Sequence, residues 1–124
     1  MVSHCSRALL IVADDAVSPY YYGQYLEQLE NAGRVHLMPA YSEYDARLLY
    51  AQNSERISII LIAGFLNSEV LSELAEASLG KAMRIAASYH PLELELLVKR
   101  AKAMRGGTPR EALMMIQKII NATA

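Results

Sequence analysis

The stretch Arg56–Gly64 (RISIILIAG) constrains the fold more than any other part of the sequence. Its side chains are apolar at nearly every position, so a strand formed there would be buried on both faces. Strands of this kind belong to parallel sheets that carry helices on each side. Similar runs lie at Arg7–Ala13, Arg34–Ala40 and, more weakly, Lys81–Ser88, and segments with helical periodicity separate them. This alternation predicts an α/β fold with right-handed crossovers and a doubly wound parallel sheet of four or five strands.

Residues that begin and end helices stand between these runs. Ser18 and Pro19 suit the N-cap and the first position of a helix, and Gly33 suits the residue that follows its end. Ser42–Asp45 imitates a capping box, although Asp is a weaker fourth residue than Glu. Thr108–Glu111 (TPRE) is a complete capping box, so it predicts the beginning of a last helix.

The segment after His90 has two conflicting patterns. Leu92, Leu94 and Leu96 alternate with polar residues as in a strand, whereas PLELELLVKRAKAM begins with Pro, has Glu early and has Lys and Arg late. The second pattern matches the helix dipole, so we favour a helix. The next residues, KAMRGG, contain two glycines and make a poor strand, so the sequence leaves a fifth strand open.

Composition limits the classes of partner. The chain has 124 residues, 53% of them hydrophobic and 20% charged, which is typical of a single packed domain; we expect it to span residues 1–124. The net charge is −1 and the Lys and Arg residues are dispersed, so no basic face for nucleic acid is expected. No apolar run is long enough for a membrane span, and Cys5, the single cysteine, permits no internal disulfide. These features predict a cytoplasmic protein with no membrane partner.

Asp14 and Asp15 follow the first predicted strand, at the sheet edge where ligands of parallel sheets gather. Two adjacent carboxylates there can hold Mg²⁺, a cation that prefers oxygen ligands. Alternatively, they solvate a loop and favour the start of the next helix through its dipole. Apart from such an ion, we expect no cofactor.

Several segments resemble response-regulator receiver domains. LLIVADD is similar to the first strand of that family with its acidic residues, SIILIA to its third strand, IAAS to its fourth and TPREALMMIQKI to its last helix. The resemblance extends from about Ala8 to Asn121. It implies a flavodoxin-like fold. In receiver domains the third strand ends at a phosphorylated aspartate and the fourth at a switch Ser or Thr.

Key functional residues of that family are replaced in this chain. Ala63, or Gly64 if the register shifts by one, stands at the phosphoacceptor position, and Thr108 stands at the position of the family lysine. The resemblance therefore implies a pseudo-receiver that regulates or scaffolds through protein contacts rather than through phosphoryl transfer. Its ligand or metal pocket would consist of Asp14, Asp15, Ala63 and Ser88.

A second resemblance leads to an enzyme. NSEVLSELAEASLGK is similar to a segment of nucleoside 2-deoxyribosyltransferase-like proteins, matching at Ser68, Glu73 and the Leu79–Lys81 turn. In that alternative, Glu73 would be the nucleophile that attacks a sugar carbon. The competing interpretation is a surface helix with Glu73 on its solvated face. The sequence thus leaves enzymatic activity open, with a non-enzymatic module as our first hypothesis.

Surplus apolar side chains predict an interface. One helix cannot bury a run of tyrosines that includes Tyr20 and Tyr21 on one face, and Met114, Met115 and Ile119 exceed the buried stripe of the last helix. Exposed Tyr and Met side chains are favoured at protein interfaces. Receivers commonly dimerise through the face that contains their last helix, so the resemblance also implies a homodimer or a protein partner.

Overall fold

A computed structural model describes residues 7–14, 18–65 and 67–122. In these ranges the strands are β1 (Ala8–Val12), β2 (His36–Ala40), β3 (Ile57–Ile62), β4 (Met83–Ala87) and β5 (Met104–Gly107). The helices are α1 (Ser18–Tyr25), α2 (Glu27–Asn31), α3 (Glu43–Asn53), α4 (Glu69–Ser78), α5 (Pro91–Ala101) and α6 (Pro109–Ala122). In this part of the chain, no helix has both the length and the apolar character needed to cross a membrane.

The five strands form one sheet in the order β2-β1-β3-β4-β5, and every neighbouring pair is parallel. This is the doubly wound, flavodoxin-like arrangement, so the predicted fold class is confirmed. The register pairs Val12 with both Ala40 and Ile62, which brings the carboxyl ends of β1, β2 and β3 to one edge of the sheet.

Alternate side chains of the central strands enter two separate cores. On one side, Leu10 and Ile60 pack with residues of α3, α4 and α5. On the other side, Leu9 and Leu61 pack with residues of α1, α2 and α6. All of β1 is buried, and β3 is buried except for the half-buried Ser58. Burial on both faces explains the unbroken apolar runs from which the parallel sheet was predicted.

Side chains cap the beginnings of three helices: Ser42 caps α3, Ser68 caps α4 and Thr108 caps α6. The Thr108 N–H donates to Glu111 Oε1 (2.9 Å) and the Glu111 N–H donates to Thr108 Oγ1 (3.3 Å), which confirms the predicted capping box of α6. Hydrogen bonds from the Thr108 backbone and side chain lower the pKa of Glu111, so the stability that this cap contributes is lost as the pH falls through that lowered pKa. In α3, the Asp45 N–H donates to Ser42 Oγ, but the Asp45 carboxylate accepts from the Tyr41 N–H rather than from that of Ser42.

Three local features refine the predictions from sequence. The helix expected after Pro19 is interrupted at Leu26, although the Leu26 N–H still donates to Tyr22 O (3.1 Å). Gly33, with φ of +73°, lies just beyond Ala32, the C-cap of α2, as predicted. The ambiguous segment that begins at Pro91 is a helix, which places Leu94 and Leu97 in the core.

A fifth strand exists because Gly106 allows α6 to lie close to it. A Cβ added at Gly106 would lie 2.7 Å from Ala86 O and 2.8 Å from Ala112 Cβ. Glycine weakens a strand when its side chain would otherwise pack, but it is required where another element approaches the backbone. The low strand propensity of this segment is visible in the sequence. The close packing that requires glycine at position 106 is not.

We expect Gly106→Ala to destabilise the protein by about 1–3 kcal/mol, the usual range for overpacking a filled core. Gly23→Ala is the matched control, because a Cβ at Gly23 in α1 has nothing within 4 Å. Alanine is the better helix former, so this change should stabilise the protein by about 0.5–1 kcal/mol. Urea denaturation measures both effects, and equal stability of the two variants would contradict the packing described for β5.

Candidate functional site at the carboxyl edge of the sheet

The winding of the sheet reverses between β1 and β3, and the loops after these strands leave the sheet side by side. In open α/β sheets, ligands bind outside the carboxyl ends of the strands at such a switch point. The Ala63 N–H donates to Val12 O (2.8 Å), so the contact between the strands continues just beyond β3. The residues that follow, Asp14 on one side and Gly64 and Phe65 on the other, form the centre of this edge.

Asp14 is folded onto the end of β3. The Phe65 N–H donates to Asp14 Oδ2 (3.2 Å). A Cβ added at Gly64 would lie 2.5 Å from Asp14 N and 2.7 Å from Asp14 Cγ and Oδ1. Glycine at position 64 is therefore what permits the carboxylate to approach. We call these three residues, Asp14, Gly64 and Phe65, the Asp14 latch.

Phe65 has a backbone conformation that bulky residues rarely adopt. Its φ is +62°, in the left-handed region, which costs a residue with a Cβ about 1–2 kcal/mol. The half-buried ring packs against the core beneath α3, α4 and α5, and the N–H is bonded to Asp14. Strained residues persist where the surroundings hold them, and they cluster at functional sites. Here the ring contact and the latch together hold the strained conformation.

Ala63, the predicted phosphoacceptor position, directly follows the last residue of β3. Its side chain is half-buried and packs against the core beneath α1, α2 and α6. Gly64, the alternative position, is buried under Asp14. A methyl group and a hydrogen atom offer no nucleophile at the end of the central strand.

Ser88 lies after β4 and is almost completely buried. Its hydroxyl donates to Glu93 Oε1 (2.9 Å) and accepts from the His90 N–H (3.0 Å), while its own N–H donates to Gly107 O (3.0 Å). These bonds connect Ser88 to the first turn of α5 and to β5. The structure thus brings Asp14 together with the end of β3, and it gives Ser88 a separate set of partners.

The magnesium hypothesis depends on both aspartates, and Asp15 lies outside the described residues. Among the residues that the structure does describe, no group of three or more His, Cys, Asp and Glu side chains is arranged to hold a metal ion. Asp14 Oδ2 accepts one hydrogen bond, although an ionised carboxylate has capacity for several more. Binding of Mg²⁺ at Asp14 and Asp15 therefore stays a prediction.

Glu73, the nucleophile of the alternative hypothesis, lies on α4 and faces α3. It accepts a hydrogen bond from Arg47 Nη2 at 2.9 Å, and its side chain is 51% exposed. The pair lines a surface groove of about 390 Å³ together with Tyr50 and Lys81. Glu73 thus belongs to an ion pair between two outer helices, whereas the Asp14 latch lies beyond the carboxyl ends of β1 and β3. A catalytic role for Glu73 stays a prediction.

The residues predicted for an interface are exposed to different degrees. Tyr20 is 63% and Tyr21 42% exposed on α1, and Met114 is 46% exposed on α6. Met115 and Ile119 are half-buried against the core. The three residues of α6 line a shallow groove of about 500 Å³, here called the α6 groove. The residues that line it are Gly106, Glu111, Met114, Met115, Lys118 and Ile119.

Two exposed leucines on α5 are not among the residues predicted for an interface. Leu92 is 81% and Leu96 49% exposed, while Leu94 between them is buried. The alternation of Leu92, Leu94 and Leu96 was the available signal, because in a helix such spacing cannot direct all three side chains to the core. On the adjacent edge strand, the side chain of Met104 is also exposed.

The opposite edge of the sheet is closed to strand addition. On β2, the His36 N–H donates inward to Arg7 O, so the N–H groups of residues 37 and 41 point outward and position 39 is Pro. The Leu37 N–H donates to Glu30 Oε2 (2.9 Å) and the Tyr41 N–H to Asp45 Oδ2 (3.1 Å). Covered donors and Pro are the usual protection of an edge strand.

The latch can be tested by measuring the free energy of unfolding of variants at Asp14 and Gly64. Asp14→Ala removes the acceptor of the Phe65 N–H, so we expect a loss of about 0.5–1.5 kcal/mol and faster exchange of the Phe65 amide hydrogen. Gly64→Ala should cost more, about 1–3 kcal/mol, because its Cβ meets the backbone of Asp14. In the double variant Asp14→Ala/Gly64→Ala, the clash with Asp14 Cγ and Oδ1 is removed but the clash with Asp14 N remains, so only part of the lost stability should return. A neutral Gly64→Ala would contradict the geometry of the latch.

Comparisons with known proteins add no family to this description. No protein-family model matches the sequence, and no curated protein matches it. The topology of the sheet, the Asp14 latch and the exposed apolar surfaces of α5 and α6 are therefore the basis on which a function can be inferred.

Proposed function

We propose that this chain is a receiver-like regulatory or scaffolding module that acts through protein contacts, as a homodimer, and does not transfer phosphoryl groups. The observation that carries the proposal is the end of the central strand β3. The strand is followed by Ala63 and Gly64, and Asp14 is folded onto Gly64 and bonded to the Phe65 N–H.

The chemistry of phosphoryl transfer supports this proposal. Transfer to a side chain requires a nucleophile, a metal on the phosphoryl oxygens and a cation for the developing charge. Ala63 has no nucleophilic atom. Thr108, at the position of the receiver lysine, accepts a hydrogen bond from the Glu111 N–H and caps α6. The nucleophile and the cation, two of the three required groups, are therefore missing from their positions.

In this proposal, the latch takes the place of the signal that sets the arrangement of this edge in a receiver. In a receiver, phosphorylation rearranges the edge of the sheet, so binding depends on the signal. In this chain, a carboxylate that follows β1 bonds the backbone after β3 without any added group. Partner binding would then be governed by the concentration of the protein or of its partner.

Tyrosines are exposed on α1, on α3 and after β2, and it is the Met and Leu side chains exposed beside an unprotected sheet edge that support a protein partner on the β5 side. The β2 edge is closed by Glu30, Pro39 and Asp45, whereas β5, α5 and α6 expose Met and Leu side chains. Exposed apolar surface is a common feature of interaction sites. The dispersed charge and the single cysteine agree with the expected cytoplasmic location and with a partner other than nucleic acid.

The absence of phosphoryl chemistry can be tested by mass spectrometry. After incubation with acetyl phosphate and Mg²⁺, the intact mass of the protein should stay unchanged, because Ala63 and Gly64, at the phosphoacceptor position, have no carboxylate that could form an acyl phosphate. A receiver domain that retains its aspartate serves as the positive control. Formation of a stable phosphoprotein under these conditions would refute the proposal.

Self-association can be tested by sedimentation. We expect the average mass to rise above the 13.8 kDa of one chain as the concentration increases. Met114→Lys should shift the equilibrium to the monomer, because it places a charge in the α6 groove. Tyr44→Lys is the matched control, since Tyr44 is an exposed aromatic residue on α3. A strict monomer at high concentration would count against the homodimer.

A further inference from the structure

The outer surface of α6 presents a pattern of charged and apolar residues that is complementary to itself. Glu111, Met114, Met115 and Lys118 all line the α6 groove. Glu111 and Lys118 each lie three and four residues from the two methionines, so all four are neighbours along one side of the helix. The two methionines lie midway between the two charges. Read from either end, the order is one charge, two methionines and the opposite charge.

From this pattern we infer that two copies pack their α6 helices antiparallel about a two-fold axis between Met114 and Met115, with Glu111 of each copy against Lys118 of the other. This arrangement rests on the proposed function, because it requires the chain to form a homodimer. A two-fold contact is self-complementary: where residue i contacts j, residue j contacts i. The antiparallel arrangement places each carboxylate opposite an ammonium group.

The parallel arrangement of the two helices is disfavoured by the same residues. It would place Glu111 next to Glu111 and Lys118 next to Lys118, and like charges at an interface are repulsive. In the antiparallel arrangement, Met114 and Met115 meet at the axis, where their unbranched side chains can adapt to one another. The charges, about 10 Å apart along the helix at 1.5 Å per residue, would flank this apolar centre.

Glu111 can serve both as a cap and as an interface residue. Its Oε1 accepts the Thr108 N–H, and its second oxygen is available for a cation. The Thr108 hydrogen bonds lower its pKa, so the carboxylate is charged at neutral pH. Glu111 and Lys118 are both exposed in the single chain and can meet a second copy.

Exchange of the two charges is the most specific test. Lys118→Glu would set two carboxylates against each other across the axis, and Glu111→Lys would set two ammonium groups against each other. Each variant alone should therefore self-associate roughly tenfold more weakly. An equimolar mixture of the two variants should restore association as a heterodimer, because one copy then carries two carboxylates and the other two ammonium groups. Lys81→Glu, in the turn after α4, is the control with the same change of charge and should associate like the wild type.

Because Glu111→Lys also removes the cap of α6, a second variant at this position is needed. Glu111→Gln keeps an acceptor for the Thr108 N–H but removes the charge, so it should reduce the salt dependence of self-association without unfolding the helix. Circular dichroism verifies that each variant is folded.

The outcomes separate this inference from the proposed function. A wild-type dimer that tolerates Lys118→Glu and shows no recovery in the mixture would overturn the α6 arrangement and leave the homodimer standing. A wild-type monomer at high concentration would overturn both the arrangement and the homodimer. A phosphoprotein formed from acetyl phosphate would overturn the proposed function alone, since the charge exchange would still report on α6.

Discussion

Burial of β3 on both faces is the constraint on which the rest of the structure depends. A strand without a polar face has to be flanked by helices on each side, and this requirement gives the chain its alternating order and its two cores. The same position at the centre of the sheet brings the end of β3 next to the loop after β1. The contact between Asp14 and Gly64 follows from that neighbourhood and from the lack of a side chain at position 64.

The two edges of the sheet differ in how they are protected. On β2, side chains of α2 and α3 cover the outward N–H groups at Leu37 and Tyr41, and Pro39 has none. On β5, Arg105 forms an ion pair with Glu95 of α5, and Met104 is exposed. Nearby, α6 presents a groove with methionines between opposite charges. This asymmetry is the reason that we propose a partner surface at β5, α5 and α6.

Much of the fold could be predicted from local signals. The apolar runs gave the first four strands, the TPRE motif gave the start of α6, and Gly33 marked the end of α2. β5 could not be established, because the reason for Gly106 is its contact with Ala112, a residue of the next helix. The sequence shows that position 63 lacks a carboxylate, but the approach of Asp14 to Gly64 depends on the register of two strands distant in sequence. The left-handed Phe65 had no signal in the sequence, since bulky residues rarely adopt that conformation.

The central claim is that the end of β3 is held by the Asp14 latch and does not respond to phosphoryl groups. The most direct test is the backbone amide spectrum of Ala63, Gly64, Phe65 and Ser88, recorded with and without Mg²⁺ and beryllofluoride, which imitates a phosphoryl group on an aspartate. We expect these amide signals to stay in place. Saturable shifts confined to these residues and Asp14 would contradict the account, because they would show a phosphoryl-binding site at this edge of the sheet.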